Sequence, residues 1–201
     1  MKKRKLAAAL VCLGAFILWT ILVQFVQVRP IGPEGSAVGF AALNGWFHDL
    51  TGVHMALYAI TDWLSLIPLG FVAGFGLMGL VQLIRGRLER SIIVLGIFYA
   101  AVLACFALFE VVVINYRPIL IEGVLEASYP SSTTMLCLCV MPTAAMQLRS
   151  RGCKRWVSFI LTVFTIFMVT ARAISGVHWI TDIIGGVLLS AGLVKAYEVL
   201  A

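Results

Sequence analysis

The sequence predicts an all-α membrane protein with six spanning helices and an outer amphipathic helix between the first and the second. Three observations carry this. Of 201 residues, 62% are hydrophobic and only 12% charged, and the mean hydropathy is +1.04. The apolar residues fall into six runs, and the basic residues gather in alternate links between them. A soluble domain of ordinary composition is excluded. A span takes roughly 20 residues, so six nearly consume the chain, and residues 1–201 read as one transmembrane domain.

The first run, Leu6–Val28, follows Lys2-Lys3-Arg4-Lys5. It is longer than a signal-peptide core and lacks a small-x-small cleavage site at its end, so it reads as a retained span. Gly39–Ala59 mixes Asn44, His48, Asp49 and His54 with apolar residues, the pattern of an amphipathic helix lying over the outer face. The remaining spans are Leu64–Ile84, Ile92–Ile114, Thr133–Leu148, Trp156–Ile174 and Ile180–Tyr197. Gly70, Gly74, Gly76 and Gly79 make a small-residue face on the second span, which allows close helix approach; a homodimer interface is the alternative. Most tryptophans fall near span edges. Cys12, Cys105, Cys137 and Cys139 lie in apolar runs, without metal-ligand or redox spacing.

Placing the N-terminus in the cytoplasm puts 12 of the 15 Lys and Arg residues on that side, leaving only Arg29, Arg117 and Arg172 outside. The positive-inside rule therefore favours a multi-pass cell-membrane protein with both termini cytoplasmic. Topology also accounts for the net charge of +6, so no nucleic-acid partner is expected.

The strongest polar signal is the segment Arg172 to Gly186, at the junction of the last two spans. If the final helix starts near His178, Asp182 follows at i+4 on the same face, where a carboxylate fixes one ring nitrogen and frees the other as nucleophile or base. Arg172 approaches from the preceding span with a planar fork suited to phosphoryl oxygens. A second signal is Asn115-Tyr116-Arg117-Pro118, in which Pro118 turns Arg117 out of the helix end. A third is Tyr129-Pro130-Ser131-Ser132-Thr133-Thr134, where Ser131 or Ser132 can cap the fourth span and its first amides form an anion site. All three lie at one depth on the side away from the basic loops.

From about Glu110 to Gly186 the chain resembles the type 2 phosphatidic acid phosphatase superfamily of membrane lipid phosphatases. Arg172, Gly176, His178, Trp179 and Asp182 match its third motif, Arg117-Pro118 the end of the first, and Pro130-Ser131-Ser132 the start of the second. The resemblance implies that His178 forms a phosphohistidine, that Asp182 orients it, and that Arg172, Arg117 and the Ser131–Thr133 region hold phosphate. It also exposes two departures: Glu110 stands where the first motif has a lysine, and Thr133 where the second has a histidine that protonates the leaving oxygen. Glu110 is expected to pair with Arg117 or Arg172, or to hold a zwitterionic head group. His48 and His54 read as interfacial or structural groups rather than a replacement acid.

These residues imply hydrolysis of a lipid-linked phosphate or diphosphate at the extracytoplasmic face, without metal or other cofactor. A phosphodiester head-group transferase and an inactive lipid-phosphate binder or transporter are the alternatives. A threonine supplies no proton near neutral pH, and losing an acid catalyst costs about 10²- to 10⁴-fold for a poor leaving group. A diphosphate, which leaves as phosphate, suffers less.

Overall fold

A lipid environment gives apolar helices no hydrophobic reason to pack on one another, so polar ties and close fits must hold a bundle together. The computed structural model describes residues 2–201 and is all-helical: α1 (Lys2–Phe25), α2 (Ala41–Thr51), α3 (Met55–Leu64), α4 (Leu66–Ile84), α5 (Arg90–Val111), α6 (Ser132–Ser150), α7 (Arg155–Ile174) and α8 (Ile180–Leu200). α1 runs antiparallel to α8: Lys5 meets Glu198 at 3.2 Å near one end, and Trp19 Nε1 donates to the Thr181 carbonyl at 3.1 Å towards the other. α6 occupies the centre, against α4, α5, α7 and α8.

Five helical units are long and apolar enough to cross a membrane: α1, the continuous Met55–Ile84, α5, α7 and α8. The fold is that of an integral membrane protein. α6, the remaining expected span, has 19 residues but a different environment. It is surrounded by protein rather than lipid, so it carries buried Thr133, Thr134, Thr143 and Gln147 among its apolar residues. Gln147 Nε2 donates to the Tyr197 hydroxyl at 2.7 Å, and Tyr99 and Thr143 join their hydroxyls at 3.3 Å. These bonds tie α6 to α8 and to α5.

The expected amphipathic helix over Gly39–Ala59 is only partly right. α2 ends at Thr51, Gly52–His54 form a turn, and α3 is the start of the second span, which therefore begins at Met55 rather than Leu64. The turn crosses the link between α7 and α8, where the His54 amide donates to the Ser175 carbonyl at 2.9 Å. Gly176 sits there at φ +73°, and an added Cβ would lie 2.1 Å from the Gly52 carbonyl oxygen. α2 is fastened by Asn44, fully buried, whose Nδ2 donates to the Gly39 carbonyl and to Thr181 Oγ1 at 2.7 and 3.0 Å.

The glycine face of the second span is also corrected. A Cβ on Gly70, Gly74 or Gly76 would meet nothing within 4 Å among the described residues, and only Gly79 presses on a neighbour, Ile92, at 3.0 Å. The chain approaches itself closely elsewhere. At Gly39 an added Cβ would fall 1.6 Å from the Val23 carbonyl oxygen, at Gly185 2.5 Å from the Tyr129 ring, and at Gly192 2.6 Å from Leu13.

The ends of the bundle differ. One end holds the ion pairs Lys5–Glu198 and Arg151–Glu89 with most of the basic residues, and the other holds the α2–α3 turn, the loop 112–131 and the link 175–179. Gly39→Ala must displace backbone and should destabilise the protein by about 1–3 kcal/mol, whereas Gly74→Ala should be close to neutral. Thermal unfolding of both variants in detergent checks the contrast.

Candidate active site

A buried carboxylate is tolerated only where hydrogen-bond donors replace the water it loses. Asp182, fully buried, sits in the first turn of α8 and collects three such donors from three parts of the chain. Asn115 Nδ2 donates to Oδ1 at 3.0 Å, the Trp179 amide to Oδ2 at 3.0 Å, and the Ser128 hydroxyl to Oδ2 at 2.5 Å. Its main-chain carbonyl accepts the Ser131 amide at 3.1 Å.

α8 begins at Ile180, so His178 lies in the link before it rather than on its first turn. The expected i, i+4 juxtaposition still forms, but loosely: His178 Nδ1 and Asp182 Oδ2 are 3.8 Å apart. Ser128 fills the gap, with its hydroxyl 3.0 Å and its carbonyl 3.1 Å from Nδ1. A carbonyl only accepts, so Nδ1 carries the ring proton and Nε2 the lone pair. Nε2 faces Arg117 Nη1 at 3.5 Å. Burial, reinforced by Arg117 and Arg172 and opposed by Asp182, pushes the His178 pKa down to about 4. The imidazole is neutral at pH 7 and nucleophilic at Nε2.

The two arginines arrive from different segments and are both buried. Arg117, in the loop after α5, pairs through Nε with Glu126 at 2.9 Å, and its amide donates to the Glu126 carbonyl at 3.0 Å. Arg172, on the last turn of α7, donates to Thr61 Oγ1 at 3.0 Å and to Thr133 Oγ1 at 2.8 Å, with Asp62 Oδ1 at 3.8 Å. The Tyr58 ring lies under both, 4.7 Å from the Arg172 guanidinium carbon and 6.0 Å from that of Arg117. Such cation–π contacts reach about 2 kcal/mol when desolvated.

Ser131 takes the N-cap position of α6, but the expected cap is not made: its hydroxyl, like that of Thr134, has no partner among the described residues. Ser132 and Thr133 line a cavity of about 570 Å³ together with Arg117, Arg172, Asp62 and Ser65. From that polar mouth the cavity runs between α4, α5 and α6 along Leu69, Val72, Leu103, Phe106, Leu136 and Val140. Glu110 is exposed at the end of α5 and borders a small cleft shared with Ser128, Ser132 and His178. The expected ion pair is not formed: among the described residues Arg117 takes Glu126 and Arg172 lies near Asp62 instead.

The fold thus gathers His178, Asp182, Arg172, Arg117, Ser131, Ser132 and Thr133, with Glu110 at the edge. His48 packs against Trp179 with the rings tilted at 56° and their centroids 5.6 Å apart, and His54 bonds the Thr51 carbonyl at 2.8 Å. Sequence reasoning missed Ser128, Tyr58, Thr61 and Glu126 as members of the site. Only Ser128 carried a signal, being next to the Tyr129-Pro130-Ser131 segment. Among the described residues no three His, Cys, Asp or Glu side chains come together as metal ligands.

The family model "PAP2 superfamily" matches residues 105–199. The crystal structure of a transmembrane PAP2-type phosphatidylglycerolphosphate phosphatase from Bacillus subtilis is similar, with 18% identity over 96% of this chain and 94% of that one and a TM-score of 0.60. LpxE of Aquifex aeolicus shares 19% identity over 78% of this chain and 96% of its own, at a TM-score of 0.46. No curated protein matches the sequence.

An unfolded chain protonates His178 below about 6.5, while the folded site keeps it neutral down to about 4. Between those values the unfolded state binds the extra proton, so stability falls as pH falls. Wild type should lose about 2 kcal/mol more than His178→Gln between pH 7 and pH 5, read from thermal unfolding of both proteins in detergent.

Proposed function

We propose that this chain is a member of the PAP2 superfamily, whose model matches residues 105–199, and that it hydrolyses a lipid-linked phosphate or diphosphate through a phosphohistidine on His178. The observation that carries the reading is the arrangement around Nε2: a neutral, immobilised imidazole whose lone pair faces the guanidinium of Arg117, which itself lines the polar mouth of an apolar cavity. Nε2 attacks the terminal phosphorus, its bond to the ester oxygen of a monoester or to the bridging oxygen of a diphosphate breaks with the electron pair on that oxygen, and the lipid alcohol or lipid monophosphate leaves. Water then attacks the phosphohistidine to release phosphate. Arg117 and Arg172 neutralise the non-bridging oxygens, Ser132 and Thr133 line the same mouth, and the amides of the first turn of α6 add donors. In the substrate-free site Glu126, Asp62 and Thr133 hold the two guanidiniums, and phosphate takes their place.

The lipid chain occupies the cavity between α4, α5 and α6, which keeps it at membrane depth while the phosphate reaches the bundle end. By the positive-inside rule that end is extracytoplasmic, the termini are cytoplasmic, and the membrane is the cell membrane. Among substrates a diphosphate is favoured. The Thr133 hydroxyl is engaged by Arg172 and donates no proton at neutral pH, so a leaving group stable as an anion is turned over fastest.

Purified protein in detergent, given lipid monoesters, diphosphates and diesters, should release inorganic phosphate fastest from a diphosphate. His178→Ala should abolish release, and quenching of wild type in alkali should leave an acid-labile, alkali-stable phosphohistidine. No phosphate from any lipid, with folded protein, would sink hydrolysis; exchange of head groups without phosphate release would replace it with transfer.

Leu103→Trp, which fills the cavity away from His178, should raise KM for a long-chain lipid by about tenfold and leave a short, water-soluble phosphate ester unchanged. Equal effects on both substrates would place the chain elsewhere.

A further inference from the structure

We infer that Asp182 acts on His178 through the hydroxyl of Ser128, which makes Ser128 a positioning residue of the site. The gap of 3.8 Å between Asp182 Oδ2 and His178 Nδ1 is too long for a hydrogen bond. The Ser128 hydroxyl bridges it, 2.5 Å from Oδ2 and 3.0 Å from Nδ1. A hydroxyl has one proton. Here it goes to the carboxylate, so the oxygen turns its lone pairs to the imidazole and accepts from Nδ1–H, alongside the carbonyl of the same residue.

Asp182 is also restrained from closing on the ring by its other donors, Asn115 and the Trp179 amide. Ser128, His178 and Asp182 are all buried, so water does not compete for the bridge. The order carboxylate, hydroxyl, imidazole matters when Nε2 bonds to phosphorus and the ring becomes cationic. The Nδ1 proton stays in place, and the serine dipole, locked by the carboxylate, points its negative end at that charge.

The proposal rests in part on the phosphatase reading, so its test has one arm that needs no turnover. The chain has three histidines, and His48→Gln with His54→Gln leaves His178 as the single imidazole in ¹⁵N-histidine-labelled protein. Its spectrum should show the Nδ1–H tautomer. Other charged groups bear on its titration: Asp182 on α8, Arg172 on α7, Arg117 and Glu126 from the loop 112–131, Glu110 on α5, and Asp62 on α3 behind Arg172. All are retained in Ser128→Ala, which should move the titration of His178 further down, while Ser128→Thr should restore it.

The second arm is a double-mutant cycle on kcat. Ser128→Ala should lower kcat by about 10²-fold with KM within twofold. Asp182→Asn should cost a similar factor in wild type but little in the Ser128→Ala background. An Nε2–H tautomer in the parent protein overturns the proposal even if Ser128→Ala does not fold. So does an Asp182→Asn effect that persists in full without the hydroxyl, or an unchanged His178 titration in a folded Ser128→Ala protein. Absence of turnover alone would sink the phosphatase reading and leave the spectroscopic arm to decide this one.

Discussion

The site is organised around one buried charge. Asp182 has no solvent exposure, and an unpaired carboxylate there would cost several kcal/mol. Its donors are Asn115, Ser128 and the Trp179 amide, and its carbonyl takes the Ser131 amide. One residue thus fixes both ends of the loop 112–131 to the start of α8, which lies far along the chain. The two ends of that loop also meet each other, the Ser128 amide donating to the Asn115 carbonyl at 2.9 Å. The buried carboxylate ties this pair to α8, and Arg117, which lies between them, comes with it.

The arginines pose the complementary problem. Arg117 and Arg172 are like charges gathered around one imidazole, and each needs a counter-charge. Glu126 and Asp62 supply it from half-exposed positions, with side-chain exposures of 41% and 61%. Carboxylates so placed can swing out to solvent when a phosphate arrives, at a lower cost than buried ones. Tyr58 is different, because its uncharged ring lies under both guanidiniums, 4.7 Å from that of Arg172 and 6.0 Å from that of Arg117, and so holds the two forks side by side.

The helical class, the site end and most of its residues were legible in the sequence because each rested on a local signal. The apolar runs follow from the length of a membrane crossing, and Arg172, His178 and Asp182 lie within eleven residues of one another. What was illegible came from tertiary contact. The second span starts at Met55 because α3 continues into α4, and the polar Thr61 and Asp62 that obscured this are the ones that meet Arg172. Tyr58 and Glu126 looked like ordinary residues of a helix and a loop. The expected pairing of Glu110 fails because other carboxylates reach the arginines first, Glu126 at Arg117 and Asp62 near Arg172. The glycines of α4 were read as packing residues, yet three of the four face open space, while Gly39, read only as the start of an amphipathic helix, holds the tightest approach.

The central position of α6 joins these threads. A helix in contact with lipid must be apolar all round, and it could not present Ser132, Thr133 and unpaired amides at one end without cost. α6 escapes that constraint by being enclosed by α4, α5, α7 and α8. Its first turn can then be polar, its middle can carry Thr143 and Gln147 to bind neighbours, and one flank can line the apolar cavity with Met135, Leu136 and Val140. On the proposed reading, the same helix meets the lipid chain along its side and the phosphate at its end. In the proposed reaction that makes binding of the chain and alignment of the phosphorus a single event, because a lipid seated against Leu136 and Val140 has its head group carried to the N-terminus of α6, where Arg172 is already bonded to Thr133.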